Sequence, residues 1–168
     1  MLNIINNLQP FFKDCYRRIS VREYAKIIHV SPPTASTILS SFEKEGILLK
    51  EKDRNYLFFS ANKESKLFID LSKIYWGNIL SPLILNLDSV LLNPAIILFG
   101  SLSKAEVNEN SDVDLAILSK RKPINLEKFE VSLKRKVQIF WFDSTDNIKD
   151  ENLKNNIING YVLTGRIR

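Results

Sequence analysis

Apolar residues near the start of the chain recur at helical spacing. Ile4, Ile5, Leu8, Phe11, Phe12 and Cys15 predict a helix over about Leu2 to Tyr16, which Pro10 should kink or restart. Ser20, with Glu23 three residues on, predicts a capping box that opens a helix over Val21 to Ile28. His29-Val30-Ser31-Pro32-Pro33 breaks that helix; Ser31 caps the next, which runs from Pro33 to about Glu45 and stops at Gly46. Ala25, Ile28, Val30, Ala35, Ile38, Leu39 and Phe42 should turn inward. The lone histidine, His29, is expected in a partly buried structural position beside the turn. Two strand-like runs, Ile47 to Lys50 and Tyr56 to Phe59, flank the polar stretch Glu51 to Asn55 and predict a hairpin.

After the polar break Ala61 to Ser65, Leu67, Phe68, Leu71, Ile74 and Tyr75 return to helical spacing. Gly77 should interrupt this helix, and Ile79 to Leu92 should form a second apolar one, bounded by Asn93-Pro94. The pair Tyr75-Trp76 reads as an interdomain or dimer contact. Pro94 to Phe99 is short, β-rich and closed by Gly100, the pattern of a buried strand, and Leu115 to Leu118 continues a second one. A helix over Asn125 to Lys136 should lead into a third strand, Val137 to Phe142. A closing helix and strand are expected within Leu153 to Leu163.

The 168 residues allow one large or two small domains, and a 45% hydrophobic, 26% charged composition is that of a globular protein. No apolar run approaches the roughly 20 residues of a membrane span. The amino-terminal stretch lacks a basic start and a small-residue cleavage site, so no signal peptide is expected. A single cysteine, Cys15, excludes an internal disulfide and suits a reducing cytoplasm. A net charge of +5 and a pI near 9.3 permit nucleic-acid binding.

Chemistry concentrates where the first catalytic-looking strand ends. Gly100 lets the backbone turn sharply beside a ligand, and Ser101 offers a hydroxyl and an N–H to phosphate oxygens. Asp112 and Asp114, two apart on a strand, project from one face, and a divalent cation would offset their repulsion. Strand, Gly-Ser, polar loop, Asp-x-Asp, strand: this order resembles the nucleotidyltransferase (DNA polymerase β-like) superfamily, nearest to its minimal branch, over roughly residue 80 onward. The resemblance implies that Gly100 and Ser101 hold a triphosphate, with Lys104 standing where the family carries an arginine. It also implies that Asp112 and Asp114 are catalytic and bind Mg²⁺, in a one- or two-metal site, with an NTP such as ATP as donor. The family places a third acid on the next strand, within an Arg-x-Val-Asp-Leu pattern. Here Arg135-Lys136-Val137 keeps that pattern and Gln138 takes the acid's place. Glutamine neither accepts a proton from an attacking hydroxyl nor binds metal as a carboxylate does. Asp143, of opposite strand parity, could substitute only on a bulged or bent strand, and Glu130 lies on the preceding helix. Ile157, Gly160 and Leu163 match the rhythm of the family's closing segment, and no separate substrate domain is expected after it.

The segment from about Ile19 to Ala61 resembles the winged helix-turn-helix domains of MarR- and ArsR-like regulators, carried by Ile38-Leu39-Ser40-Ser41-Phe42-Glu43-Lys44-Glu45-Gly46-Ile47-Leu48. That resemblance implies double-stranded DNA as a partner, with Thr34, Ser36, Thr37, Ser40 and Ser41 outward on the recognition helix. Lys50, Lys52 and Arg54 on the wing would then meet phosphates. It further implies a homodimer suited to palindromic DNA. Winged helices also serve as protein–protein modules.

The expectation is therefore an α+β chain: a winged helix-turn-helix over 1–62, a linker helix over 63–79, and a small mixed-sheet nucleotidyltransferase fold over 80–168. Two functions stay open. One is transfer of a nucleoside monophosphate, AMP by preference, from Mg-NTP to a hydroxyl of a partner, as in antitoxins that modify a toxin. The other is a non-catalytic transcriptional regulator whose nucleotide-binding half lacks the third acid.

Overall fold

A computed structural model describes residues 2–167. Its elements are α1 (Leu2–Lys13), β1 (Ile19–Ser20), α2 (Val21–Ile27), α3 (Pro32–Lys44), β2 (Leu48–Asp53), β3 (Tyr56–Ala61), α4 (Lys66–Val90) and β4 (Ala95–Phe99). There follow α5 (Ser101–Lys104), β5 (Val113–Leu118), α6 (Glu127–Leu133), β6 (Val137–Phe142), a 3₁₀ turn (Thr145–Asn147), α7 (Glu151–Ile158) and β7 (Tyr161–Thr164). Contacts divide the chain into two compact units. The first reaches to Tyr75 and includes Ala105–Glu109; the second comprises Trp76–Lys104 and the chain from Asn110 onward.

The first unit combines α1, α2, α3 and the start of α4 with a three-stranded antiparallel sheet of order β1-β3-β2. Ser20 and Ser31 cap α2 and α3 by accepting from the N–H groups of Glu23 and Thr34, as the sequence predicts. The capping box is only half made. The Glu23 carboxylate pairs with Arg17 at 2.5 Å instead of reaching back to Ser20. Helix α1 runs unbroken through Pro10, contrary to expectation. Leu8, Phe11 and Phe12 are fully buried beside it, and that packing outweighs the roughly 3 kcal/mol a mid-helix proline costs. The Tyr24 hydroxyl donates to the Asn7 carbonyl at 2.9 Å, tying α2 to α1, and burial raises its pKa. His29 is exposed rather than partly buried. It takes φ +57° in the turn between α2 and α3, a left-handed position whose side chain points to water. The polar loop after α5 contributes Ala105 and Val107 to this unit's core, and the Cys15 N–H donates to the Val107 carbonyl at 2.7 Å.

Helix α4 is a single 25-residue helix, not two. Gly77 and Pro82 are absorbed within it because Leu80, Leu83, Ile84 and Leu87 bury an almost continuous apolar face. In the second unit the four strands form a mixed sheet of order β6-β5-β4-β7. β4 pairs antiparallel with β5 and β7, and β5 runs parallel to β6. All five β4 residues are buried, which explains why this strand reads as a solid apolar run. Ile97, Phe99 and Ala116 form one core face with Ile148 and Ile157, and Phe140, Phe142 and Leu153 close over it. The architecture is thus mixed α and β throughout.

Candidate functional site

The core face just described ends in carboxylates. Along β5, Ala116 faces the core cluster, so Asp114 two residues earlier faces the same way, and Asp112 precedes the strand at the same parity. Phe99 pairs with Asp114, which sets the carboxylate beside the turn leaving β4. That turn is Gly100, with φ +70°. A Cβ there would lie 2.3 Å from Asp114 Oδ2, so only glycine lets the backbone approach this carboxylate so closely. Ser101 opens α5, half-buried, immediately after it, and the Ser103 hydroxyl donates to the Gly100 carbonyl at 2.9 Å, closing the turn. Burial raises the Asp114 pKa first, and the charge of Asp112 raises it further.

Gln138 lies across the sheet from Asp114 in the parallel register, and its Nε2 donates to Asp112 Oδ2 at 2.6 Å. An amide thus occupies the third position, holding one carboxylate by a charge-assisted hydrogen bond. The other two acids weighed for that position do not reach it. β6 pairs with β5 without a bulge from Val137 to Phe142, so Asp143 falls five residues past Gln138, about 16 Å along the strand and at the other end of the sheet. Glu130 is otherwise engaged: Oε1 accepts from the Val137 N–H at 2.9 Å, and Oε2 pairs with Lys136 at 3.6 Å. Among the described residues no group of three or more His, Cys, Asp and Glu side chains converges.

Lys104 stands at the end of α5, but its Nζ donates to Asn156 Oδ1 on α7 at 2.8 Å rather than projecting freely toward Gly100. Two further residues shape the site: Arg135, which the sequence marks only as part of the family pattern, and Asn156, which carries no signal of its own. Arg135 Nη1 donates to the Ser111 carbonyl at 2.5 Å, holding the chain one residue before Asp112, and its guanidinium lies 5.2 Å from the Trp76 ring. Asn156 anchors Lys104. Both contacts join residues more than 20 positions apart, so spacing could not reveal them.

The two carboxylates suit a hard divalent cation: they share a face, and Asp114 is partly buried beside the charge of Asp112, which raises its pKa. The glycine cradle beside Asp114 suits a polyanion bound with such a cation.

Residues 92–166 match the family model described as "Polymerase beta, Nucleotidyltransferase". The match runs from just before β4 through β7 and contains Gly100, Ser101, Lys104, Asp112, Asp114 and Gln138. The match supports a nucleotidyltransferase-type domain over this stretch, and the mixed helix-and-sheet architecture is consistent with it. No curated protein and no solved structure gave a significant match to the chain.

The residues named for DNA contact lie in the first unit. Thr34 and Thr37 are exposed on α3, and Ser36 and Ser40 are half-buried there. Several hydroxyls are locally bonded: Thr34 with Ser31, Thr37 to the Pro33 carbonyl at 3.1 Å, Ser41 to the Ile38 carbonyl at 2.7 Å. Lys50, Lys52 and Arg54 are exposed, and Lys50 pairs with Glu43 of α3 at 3.3 Å. Lys50 and Lys52 share one face of β2. Glu51 and Asp53 share the other, where Arg18 bonds both, at 2.9 and 3.0 Å. No helix is long and apolar enough to cross a membrane among the described residues.

Proposed function

We propose that the second unit binds an NTP and transfers its nucleoside monophosphate to a partner hydroxyl, while the first unit is a winged helix-turn-helix that holds the chain to double-stranded DNA. The observation carrying the first half is the close approach of Gly100 to Asp114 beside Asp112, within the segment that matches the nucleotidyltransferase model. Asp112 and Asp114 would hold Mg²⁺, which when bound offsets the negative charge that phosphoryl transfer gathers on the transferred group. The Gly100 and Ser101 backbone would receive phosphate oxygens. Lys104, whose ammonium donates to Asn156 Oδ1 at 2.8 Å, would supply positive charge toward the triphosphate.

A second reading rests on one specific contact. The Gln138 amide donates to Asp112 and cannot take the proton from an attacking hydroxyl as a third carboxylate in its place would. On that reading the site binds nucleotide without turnover, and the protein is a transcriptional regulator that senses it. On the first, the acceptor is a protein partner, such as a toxin countered by its antitoxin. The DNA reading is supported by the order helix, short strand, two capped helices and hairpin, and by basic residues on the hairpin face that meets α3. A cytoplasmic homodimer on palindromic DNA completes the proposal.

Calorimetric titration of ATP with Mg²⁺ tests the site directly. Metal-dependent binding to the wild type, lost in the Asp112→Asn/Asp114→Asn double variant, is the expected result, and a labelled-AMP transfer assay then separates the two readings. Absence of binding by any NTP would refute both.

A further inference from the structure

The chain's net positive charge sits in one place. Ser119 to Lys136 carries seven of the 24 basic residues and two of the 19 acidic ones, which leaves 17 of each sign elsewhere. This segment, the connection between β5 and β6 with α6 inside it, therefore holds a charge equal to the whole chain's +5. Beside it lies a groove of about 750 Å³, lined by Asn86, Val90, Ile124, Glu127, Lys128 and Val131 among others. Asn86 and Val90 are four apart on α4, and Lys128 and Val131 are three apart on α6, so each pair shares one helix face. Val131 is 73% exposed and Val90 39%, although both are apolar. The Lys122 ammonium donates to the Val90 carbonyl at 2.6 Å, which brings the basic triplet Lys120-Arg121-Lys122 to the groove's rim.

We infer that this groove docks an acidic amphipathic helix of a partner protein, its aliphatic side chains on Val90, Ile124 and Val131 and its carboxylates facing Lys120, Arg121 and Lys128. An uncovered aliphatic floor with a mainly basic rim, in which Glu127 is the one acid against Lys120, Arg121, Lys122 and Lys128, is the complement of such a helix. Single-stranded nucleic acid fits the rim but not the floor, because no aromatic ring lines the groove to stack a base. Neither Asp112 nor Asp114 lines the groove, so docking here does not rest on the nucleotide reading.

The test uses the full chain and a fluorescein-labelled 18-residue peptide with leucines along one helical face and glutamates on the other. An isomer of identical composition with its leucines scattered, and a single-stranded RNA of similar charge, serve as competitors. Fluorescence anisotropy should show saturable binding in roughly the micromolar range expected for a small interface. The scattered isomer should bind at least tenfold more weakly. Val131→Asp, a change at an exposed position, and Lys120→Glu/Lys128→Glu should each weaken binding at least tenfold, while Lys26→Glu, at an exposed position of α2, should leave peptide binding unchanged. Equal binding of the two isomers, no binding of either, or RNA that binds more tightly and loses affinity in Val131→Asp would each overturn the inference.

Discussion

The close approach of Gly100 to Asp114 makes a quantitative prediction. Gly100→Ala places an alanine at φ +70°, a left-handed conformation that costs an L-residue about 1–2 kcal/mol. It also sets the new Cβ 2.3 Å from Asp114 Oδ2, forcing that side chain off its preferred rotamer at a further cost of about 0.5–1.5 kcal/mol. The total is about 1.5–3.5 kcal/mol, and a domain of this size shifts its Tm by roughly 4–8 °C per kcal/mol. Gly46 provides the internal control. Its φ is +68°, yet nothing lies within 4 Å of an added Cβ, so Gly46→Ala should show the backbone cost alone. Removing the colliding atoms with Asp114→Ala should lower the cost of Gly100→Ala to the Gly46→Ala value, a coupling of about 1 kcal/mol. Both tryptophans of the chain, Trp76 and Trp141, belong to the second unit, so their fluorescence in urea follows the Gly100 variants, while circular dichroism follows Gly46→Ala in the first unit. If Gly100→Ala costs the same with and without the Asp114 side chain, the close approach has no energetic meaning and the cradle argument fails.

Other outcomes follow from the same geometry. The Asp114 pKa is raised in the fold, so the folded state holds its proton more tightly than the unfolded chain does. Without metal, stability contributed by this group is present at low pH and is lost as pH rises from the ordinary carboxylate range through the raised value. Asp114→Asn should therefore flatten that decline in urea titrations at several pH values, and a decline unchanged in the variant would place its cause elsewhere. Gln138→Glu replaces the amide that donates to Asp112 by a third carboxylate. It should tighten Mg²⁺-dependent ATP binding several-fold in calorimetry and raise any labelled-AMP transfer; weaker metal-dependent binding would show that the amide itself is needed. Arg135→Leu frees the Ser111 carbonyl and should weaken ATP binding roughly tenfold with a modest loss of stability, whereas unchanged affinity would remove Arg135 as a positioning residue. Lys52→Glu, on the hairpin face toward α3, should weaken duplex DNA binding and reduce its salt dependence in anisotropy titrations, an effect absent if the first unit does not bind DNA.

Local chemistry wrote the elements into the sequence. Ser20 and Ser31 cap helices because a side-chain oxygen three residues ahead of a free N–H satisfies it wherever the rest of the chain goes. The apolar run Ala95 to Phe99 is a strand because only burial on both faces tolerates it, and the same-face placement of Asp112 and Asp114 follows from strand pleating. Tertiary packing decided the rest. Pro10, Gly77 and Pro82 carry local helix-breaking signals, yet each sits inside a helix whose buried face outweighs the local penalty. His29 is exposed because a turn, not a core, lies beside it. Glu130, Asp143 and Gln138 were three candidates for one position in the sequence. Strand register alone put Gln138 beside Asp114, turned Glu130 to the start of β6 and left Asp143 at the far end of the sheet. The contacts that hold the site, Arg135 to Ser111 and Lys104 to Asn156, join residues brought together only by the sheet and its covering helix. A sequence records which groups are present and how they alternate; which of them touch is set by how the pleated sheet and its helices close.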